Sequence, residues 1–161
     1  MNQPGPEPSS VRLVRYRPEY EEQMLALHRS AIEGFILGMS RQEDEADLMA
    51  IEHVYLRPGG EFLVGFLKNR LAAMGGFRRL SDTSAELRRM RIARPIQGKG
   101  YGTQLLRELE RLACASGVRT LTLDTAKARP LTLAFYSKHG YEENGQGHYG
   151  KVETVRFTKQ L

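Results

Sequence analysis

Between residues 97 and 102 the chain reads Gln-Gly-Lys-Gly-Tyr-Gly, with three glycines at alternate positions. The segment before it alternates like a strand, and Leu105, Leu106, Leu109, Leu112 and Ala113 after it recur at helical spacing. A strand-to-helix turn of this kind lets a backbone come close to a neighbour without Cβ interference, and the first amides of the helix point out of it. It can serve turn geometry alone, or hold an anion, phosphate above all, at the helix N-terminus. The spacing separates the known phosphate loops. A Walker loop ends in Gly-Lys-Ser/Thr, whereas Lys99 is followed by Gly100. A dinucleotide fingerprint fits Gly98 and Gly100, and Asp124 stands where a ribose-binding acid would. Thr103, however, takes the third glycine position, and too few residues follow Asp124 to complete a parallel sheet.

The rest of the chain sets the kind of domain that carries the turn. At 161 residues it is long enough for one core, with 40% hydrophobic and 27% charged residues. Residues 1–10, with Pro4, Pro6 and Pro8, read as a loose, disordered tail, and 11–161 as the domain. Val11 to Tyr16 reads as a strand. A helix follows, with Tyr20, Met24, Leu27, Ala31, Ile32 and Phe35 on one side. A second helix is expected after the acidic opening Glu43, Asp44, Glu45 and Asp47, with Leu48, Ile51 and Tyr55 on one face and Pro58-Gly59-Gly60 as its stop. Glu61 to Leu67 and Leu71 to Phe77 form a strand pair. Ala85 to Ile92 is a fourth strand whose phase slips between Leu87 and Met90, as a β-bulge would produce. Beyond the glycine turn and its helix come a strand from Val118 to Asp124, a short helix from Pro130 to His139, and two strands with a turn over Asn144 to Gly147. The order β-α-α-β-β-β-α-β-α-β-β is a mixed α/β (α+β) domain.

Several signals carry less. Cys114 stands alone, which excludes an intramolecular disulfide and a cysteine-built metal site. His28, His53, His139 and His148 lack metal-ligand spacing, and His28 reads as a packed residue. No apolar run approaches the ~18 residues that a membrane span needs, so a cytoplasmic address without membrane association is expected. The formal charge of +5 calls for an anionic partner. The run Arg88-Arg89-Met90-Arg91 would be split across a sheet by strand alternation, unlike a nucleic-acid stripe. The acidic opening of the second helix reads as dipole compensation rather than as an amine site.

Two runs, Ala85 to Gly102 and Leu133 to Tyr141, resemble the core motifs of the GNAT superfamily of N-acetyltransferases, and the element order is that family's order. The resemblance therefore covers Val11 to Leu161. It implies a centrally splayed mixed sheet flanked by helices, acetyl-CoA as cosubstrate, no metal, and an amine acceptor acylated by direct attack in a ternary complex. It also implies that the pyrophosphate rests on the amides of Gln97, Gly98, Lys99, Gly100, Tyr101, Gly102 and Thr103, with Lys99 adding charge. The pantetheine arm would run along Met90, Arg91 and Ile92, and the Met90 amide would meet the thioester oxygen. Tyr136 falls on the family's tyrosine, a general acid for the leaving thiolate. Glu86 falls where several members carry a base, and its alternative is a salt bridge to Arg78, Arg88 or Arg89. Where the family often has an asparagine this chain has Arg129, which offers a phosphate contact instead. The acceptor is expected between the first two helices and the Asn144 to Gly150 turn, near Glu33, Phe35 and Tyr149. A homodimer stays open. The rival readings are a non-catalytic acyl-CoA-binding regulatory module and, behind it, a nucleic-acid-binding domain.

Overall fold

Seven strands, β1 (Arg12–Arg15), β2 (Glu61–Leu67), β3 (Arg70–Arg79), β4 (Ser84–Ile92), β5 (Thr120–Ala126), β6 (Glu142–Tyr149) and β7 (Val152–Gln160), form one sheet in the spatial order β1-β2-β3-β4-β5-β7-β6. Helices α1 (Glu21–Ile32), α2 (Arg41–Asp44), α3 (Tyr101–Ala115) and α4 (Pro130–Lys138) complete the expected order. This is a computed structural model, and it describes Gly5 and residues 8–161. Of the tail expected over residues 1–10, residues 1–4, 6 and 7 lie outside the described residues. Pro8 is tied down, since its carbonyl accepts from the Tyr101 hydroxyl at 2.5 Å.

The core divides by sheet face. On one face Leu105, Leu106 and Leu109 of α3 pack on Phe77, Leu87, Leu121 and Phe157. On the other, Met24 and Leu27 of α1 join Leu48, Ile51, Tyr55, Phe62 and Met74. Each such side chain contributes about 1.5–3 kcal/mol on full burial.

The expected second helix is broken. α2 begins with a capping box, in which Ser40 Oγ accepts from the Glu43 amide at 3.1 Å and Glu43 Oε2 from the Ser40 amide at 2.7 Å. It ends within a turn, and a 3-10 turn (Leu48–Ala50) and a π-helical turn (Glu52–Leu56) follow. The cause is tertiary: the Asp44 carbonyl accepts from Arg89 Nη2 at 2.6 Å. Leu48, Ile51 and Tyr55 are buried all the same.

In β4 the expected bulge is present. Met74 stands opposite Arg91 and Gly76 opposite Arg88, so Gly75 faces both Arg89 and Met90, and Arg89 takes φ +61°. The bulge corrects the expectation for the basic run. Arg88 and Arg89 turn toward α2, and Arg91 stands opposite Met74 on that face, whereas Met90 packs with the α3 cluster. All three arginines therefore share one face.

Every neighbouring strand pair is antiparallel except β4 and β5, which pair in parallel only from Ser84 opposite Thr120 to Glu86 opposite Thr122. Beyond that point the two strands part, and the sheet is splayed at its centre. The turn expected over Asn144 to Gly147 lies instead inside β6, an edge strand that absorbs the glycines with a register shift between Glu143 and Gly145. The chain reverses at Gly150-Lys151, with Tyr149 opposite Val152. The Lys151 amide donates to the Leu37 carbonyl at 2.7 Å, and a Cβ on Gly150 (φ +58°) would collide with that carbonyl. The hairpin tip is thus docked on the loop between α1 and α2.

Candidate active site

From Leu87 to Ile92 the β4 edge facing β5 has no strand partner among the described residues, because pairing stops at Glu86. An extended ligand can add to such an edge through backbone hydrogen bonds. Directly after this edge the glycine turn feeds α3. Gly98 (φ +76°) and Gly100 (φ +91°) need glycine for their left-handed backbone rather than for crowding, since a Cβ on either would meet nothing within 4 Å. Gly100 is the N-cap of α3, and no side chain among the described residues caps the helix. Its leading amides point to the outside with the positive end of the helix dipole behind them, which suits a phosphate.

The side chains of this turn have structural partners. Gln97 Nε2 donates to the Ile92 carbonyl at 2.9 Å, and Tyr101 is buried against Ile96 and Ala72. Gly102 lies against Phe135 of α4. His139 Nδ1 is 2.7 Å from the Phe135 carbonyl and its Nε2 is 3.0 Å from Thr103 Oγ1. The carbonyl fixes the proton on Nδ1, so Nε2 accepts from the Thr103 hydroxyl and locks α4 to the start of α3. Lys99 is exposed.

Tyr136 of α4 is only 6% exposed, more buried than its neighbour Phe135, and packs edge-on to Tyr141 at 5.6 Å between ring centres. Its hydroxyl bonds to none of the described residues. Burial pushes its pKa up to about 12 against the opposing charge of Arg91, so the phenol keeps its proton at neutral pH.

The arginine face of β4 is a network that the sequence reading missed. Arg89 Nη2 and Nε donate to Asp47 Oδ1 and Oδ2 at 2.6 and 3.1 Å, and Nη1 lies 3.4 Å from Asp44 Oδ1. Asp47 also accepts from the Tyr55 hydroxyl, and Asp44 Oδ1 from the Tyr149 hydroxyl at 2.6 Å. His28 Nε2 is 2.8 Å from Asp44 Oδ2. Burial works against the charge on Arg89, but its bonds to Asp47 outweigh burial and raise its pKa. Burial likewise works against ionisation of Asp44 and Asp47. Hydrogen bonds from Tyr149 and His28 in the first case, and from Arg89 in the second, hold both below the ordinary carboxylate range. The acidic opening thus serves three ends: Glu43 caps, Glu45 pairs with Arg29 at 2.7 Å, and Asp44 and Asp47 neutralise Arg89. The signal in the sequence was the bulge itself, which puts three arginines on the face that the acids approach.

Other expected residues fall as follows. Glu86 pairs with Arg78 at 2.8 Å and with Arg88 at 3.6 Å, the ion-pair alternative of its two roles. Arg129 Nη2 donates to the Ala31 carbonyl at 3.0 Å and its guanidinium lies 4.4 Å from the Phe35 ring centre. Arg94 Nη2 donates to the Ser30 carbonyl at 3.1 Å. Two guanidiniums thus cap the C-terminal carbonyls of α1, where the helix dipole is negative. Tyr149 belongs to the Arg89 network, and Glu33 is exposed with its carbonyl 3.5 Å from Arg94 Nη2. Cys114 is exposed. No helix among the described residues is long and apolar enough to cross a membrane, and no group of three His, Cys, Asp or Glu among them could hold a metal.

Comparison with known proteins agrees with this geometry. The model of the acetyltransferase (GNAT) family matches residues 15–141. A GNAT-family acetyltransferase from Staphylococcus aureus Mu50 superposes with a TM-score of 0.85 at 21% identity, covering 94% of this chain and 99% of that one. An acetyltransferase from Streptococcus agalactiae gives 0.84 at 17%, over 94% and 98% of the two chains. The PaiA N-acetyltransferase of Thermoplasma acidophilum, in complex with coenzyme A, gives 0.72 at 16%, over 94% and 99%. No curated protein matches the sequence.

Proposed function

The chain belongs to the GNAT acetyltransferase family, and from that premise we propose that it moves an acetyl group from acetyl-CoA to a primary amine by direct attack in a ternary complex. What supports this reading is that the open β4 edge, the uncapped start of α3 and the helix that carries Tyr136 come together: Gly102 faces both Ile92 and Phe135, and the charge of Arg91 reaches Tyr136. The amides from Gln97 to Thr103 hold the pyrophosphate, with Lys99 adding charge, and the backbone of Met90, Arg91 and Ile92 pairs with the pantetheine arm. Acetyl-CoA supplies the activated acyl group and a thiolate leaving group. The amide of Met90 polarises the thioester oxygen. Tyr136 donates its proton to the leaving sulfur; burial keeps the phenol protonated at neutral pH, and the charge of Arg91 eases the phenolate left after transfer. The acceptor enters from the α1 and α2 side and gives its amine proton to water before or during attack, and water returns a proton to Tyr136 after the thiol has left. Glu86 is held in ion pairs by Arg78 and Arg88, and we assign it to the sheet's charge balance rather than to proton transfer.

Arginine side chains support the small-molecule reading over the nucleic-acid one. Arg78, Arg88 and Arg89 are matched by Glu86, Asp47 and Asp44, and Arg79 is spent on backbone carbonyls including that of Asp82 at 2.7 Å. Tyr136→Phe tests the proposal. It should lower kcat by about 10²–10⁴-fold with unchanged affinity for coenzyme A. Unchanged turnover would remove the acid role, and the absence of amine-dependent thiol release across a broad panel would favour a non-catalytic acyl-CoA-binding module.

A further inference from the structure

On the α2-facing side of β4, Arg88 and Arg89 find carboxylates; Arg91 pairs with none among the described residues. Its Nη1 donates to the carbonyl of its own neighbour, Met90, at 3.0 Å, and its Nε is buried without a hydrogen-bond partner. A guanidinium carries five donors, and Arg91 is half-buried with Nε shut off from solvent, so its hydrogen bonding among the described residues stays incomplete unless a ligand completes it. The protein groups around it do not. Arg89 and Arg129 add positive charge, the charge of Asp44 is already committed to Arg89, Tyr149 and His28, and Tyr136 is a neutral phenol. Burial, reinforced by Arg89, depresses the Arg91 guanidinium to about 10, and the charge of Asp44 offsets only part of that.

Its place in the fold says what should complete it. Arg91 is in the unpaired segment of β4, on the face opposite α3 and close enough to Tyr136 for each to shift the other's titration. That is the face of α1, from which, on the acetyltransferase reading, the acceptor approaches the thioester. We propose that Arg91 is the anion-recognising residue of the acceptor site, so that the acceptor is an amine bearing a carboxylate, of the amino-acid type, rather than a polyamine or another polycation. The proposal rests on the acetyltransferase reading. A planar carboxylate can take two parallel donors from a guanidinium, which fixes the distance and direction of the amine as well as the charge.

The test measures kcat/KM by thiol release for a set of free amino acids, their carboxamides and linear polyamines, each corrected for its fraction of neutral amine. Wild-type protein should prefer the acids over their amides by about 10- to 100-fold. Arg91→Gln should bring that ratio to near one through KM for the acids, and Arg91→Lys should keep part of it. Because the side chain is a cation whose charge is only partly offset, Arg91→Gln should fold with an unchanged or higher thermal midpoint; a lower midpoint together with an unchanged ratio would assign Arg91 a structural role instead. Equal rates for acids and amides in the wild type, or a preference for polyamines, would overturn the proposal while leaving the transferase reading intact. If no amine is acetylated, the transferase reading fails. Calorimetric titration of the coenzyme A-loaded protein with the same amino acids then decides for Arg91: binding lost in Arg91→Gln supports it, and no binding overturns it.

Discussion

Around Gly100 the proposed anion site is built of backbone amides, whereas around Arg89 and Arg91 the positive charge sits on guanidinium side chains. The first region needs only a local stretch: left-handed glycines, a helix start without a cap, and a helix whose apolar stripe fastens it to the sheet. The second needs residues more than forty positions apart, because Arg89 is held by Asp44 and Asp47 of a segment that would otherwise continue as helix. A backbone-built site depends on chain conformation rather than on the identity of most side chains, and would accept any phosphate of the right reach. A side-chain-built site is specific, and each of its charges must be answered or left for a ligand. The two regions meet along β4, and substitutions can separate them.

The largest separation comes from Asp47→Ala. It removes both direct bonds to Arg89 and the acceptor of the Tyr55 hydroxyl, and leaves a buried guanidinium with only the more distant Asp44 carboxylate. Removing one partner of a buried pair costs about 3–5 kcal/mol. Urea unfolding should show that loss as a lower midpoint, while the fraction that remains folded still binds coenzyme A. A loss under about 1 kcal/mol would mean that the pair behaves like a surface salt bridge.

Gly100→Val probes the other region. At φ +91° a branched side chain is strained, a cost of about 1–2 kcal/mol that falls on the turn itself. Coenzyme A affinity measured by calorimetry should drop about tenfold, with a smaller change in the unfolding midpoint than in Asp47→Ala. Unchanged affinity would show that the turn serves chain geometry alone.

The sequence made the backbone-built region readable for the same physical reason that makes it tolerant. Glycine at alternate positions, and a phase slip between Leu87 and Met90, are local marks of backbone conformation, and the left-handed turn and the bulge are both where those marks lie. The element order and the burial of Leu48, Ile51 and Tyr55 were legible through periodicity. What stayed hidden depends on tertiary partners. Helical spacing after Glu43 is real, yet Arg89 draws off the Asp44 carbonyl and the helix breaks. Asn144 and Gly145 carry a turn signal, but an edge strand can absorb it as a bulge. Strand alternation alone splits the arginines, and only the bulge carried through to side-chain direction puts them together.

The smallest effect is one of pH, and it again divides the two regions. His28 is fully buried, with Nε2 against Asp44 at 2.8 Å and Nδ1 without a hydrogen-bond partner among the described residues, the arrangement of a neutral imidazole protonated on Nε2. Burial holds its pKa below the ordinary 6.5 against the raising effect of the Asp44 hydrogen bond, and the charges of Arg91 and Arg89 add to the lowering. The unfolded chain therefore takes up a proton near pH 6.5 that the native state refuses. Stability is full above that pH and falls as pH drops through it toward the lowered native value. Asp44 and Asp47 act with the same sign, but only near and below the ordinary carboxylate value of 3.8. Thermal midpoints should decline between pH ~7.5 and ~5.5 in the wild type, and His28→Gln, which keeps a donor for Asp44, should flatten that decline. A slope that survives in His28→Gln would assign the acid sensitivity elsewhere. A slope that disappears would locate it in the side-chain-built region, because the amides at the start of α3 do not titrate in this range.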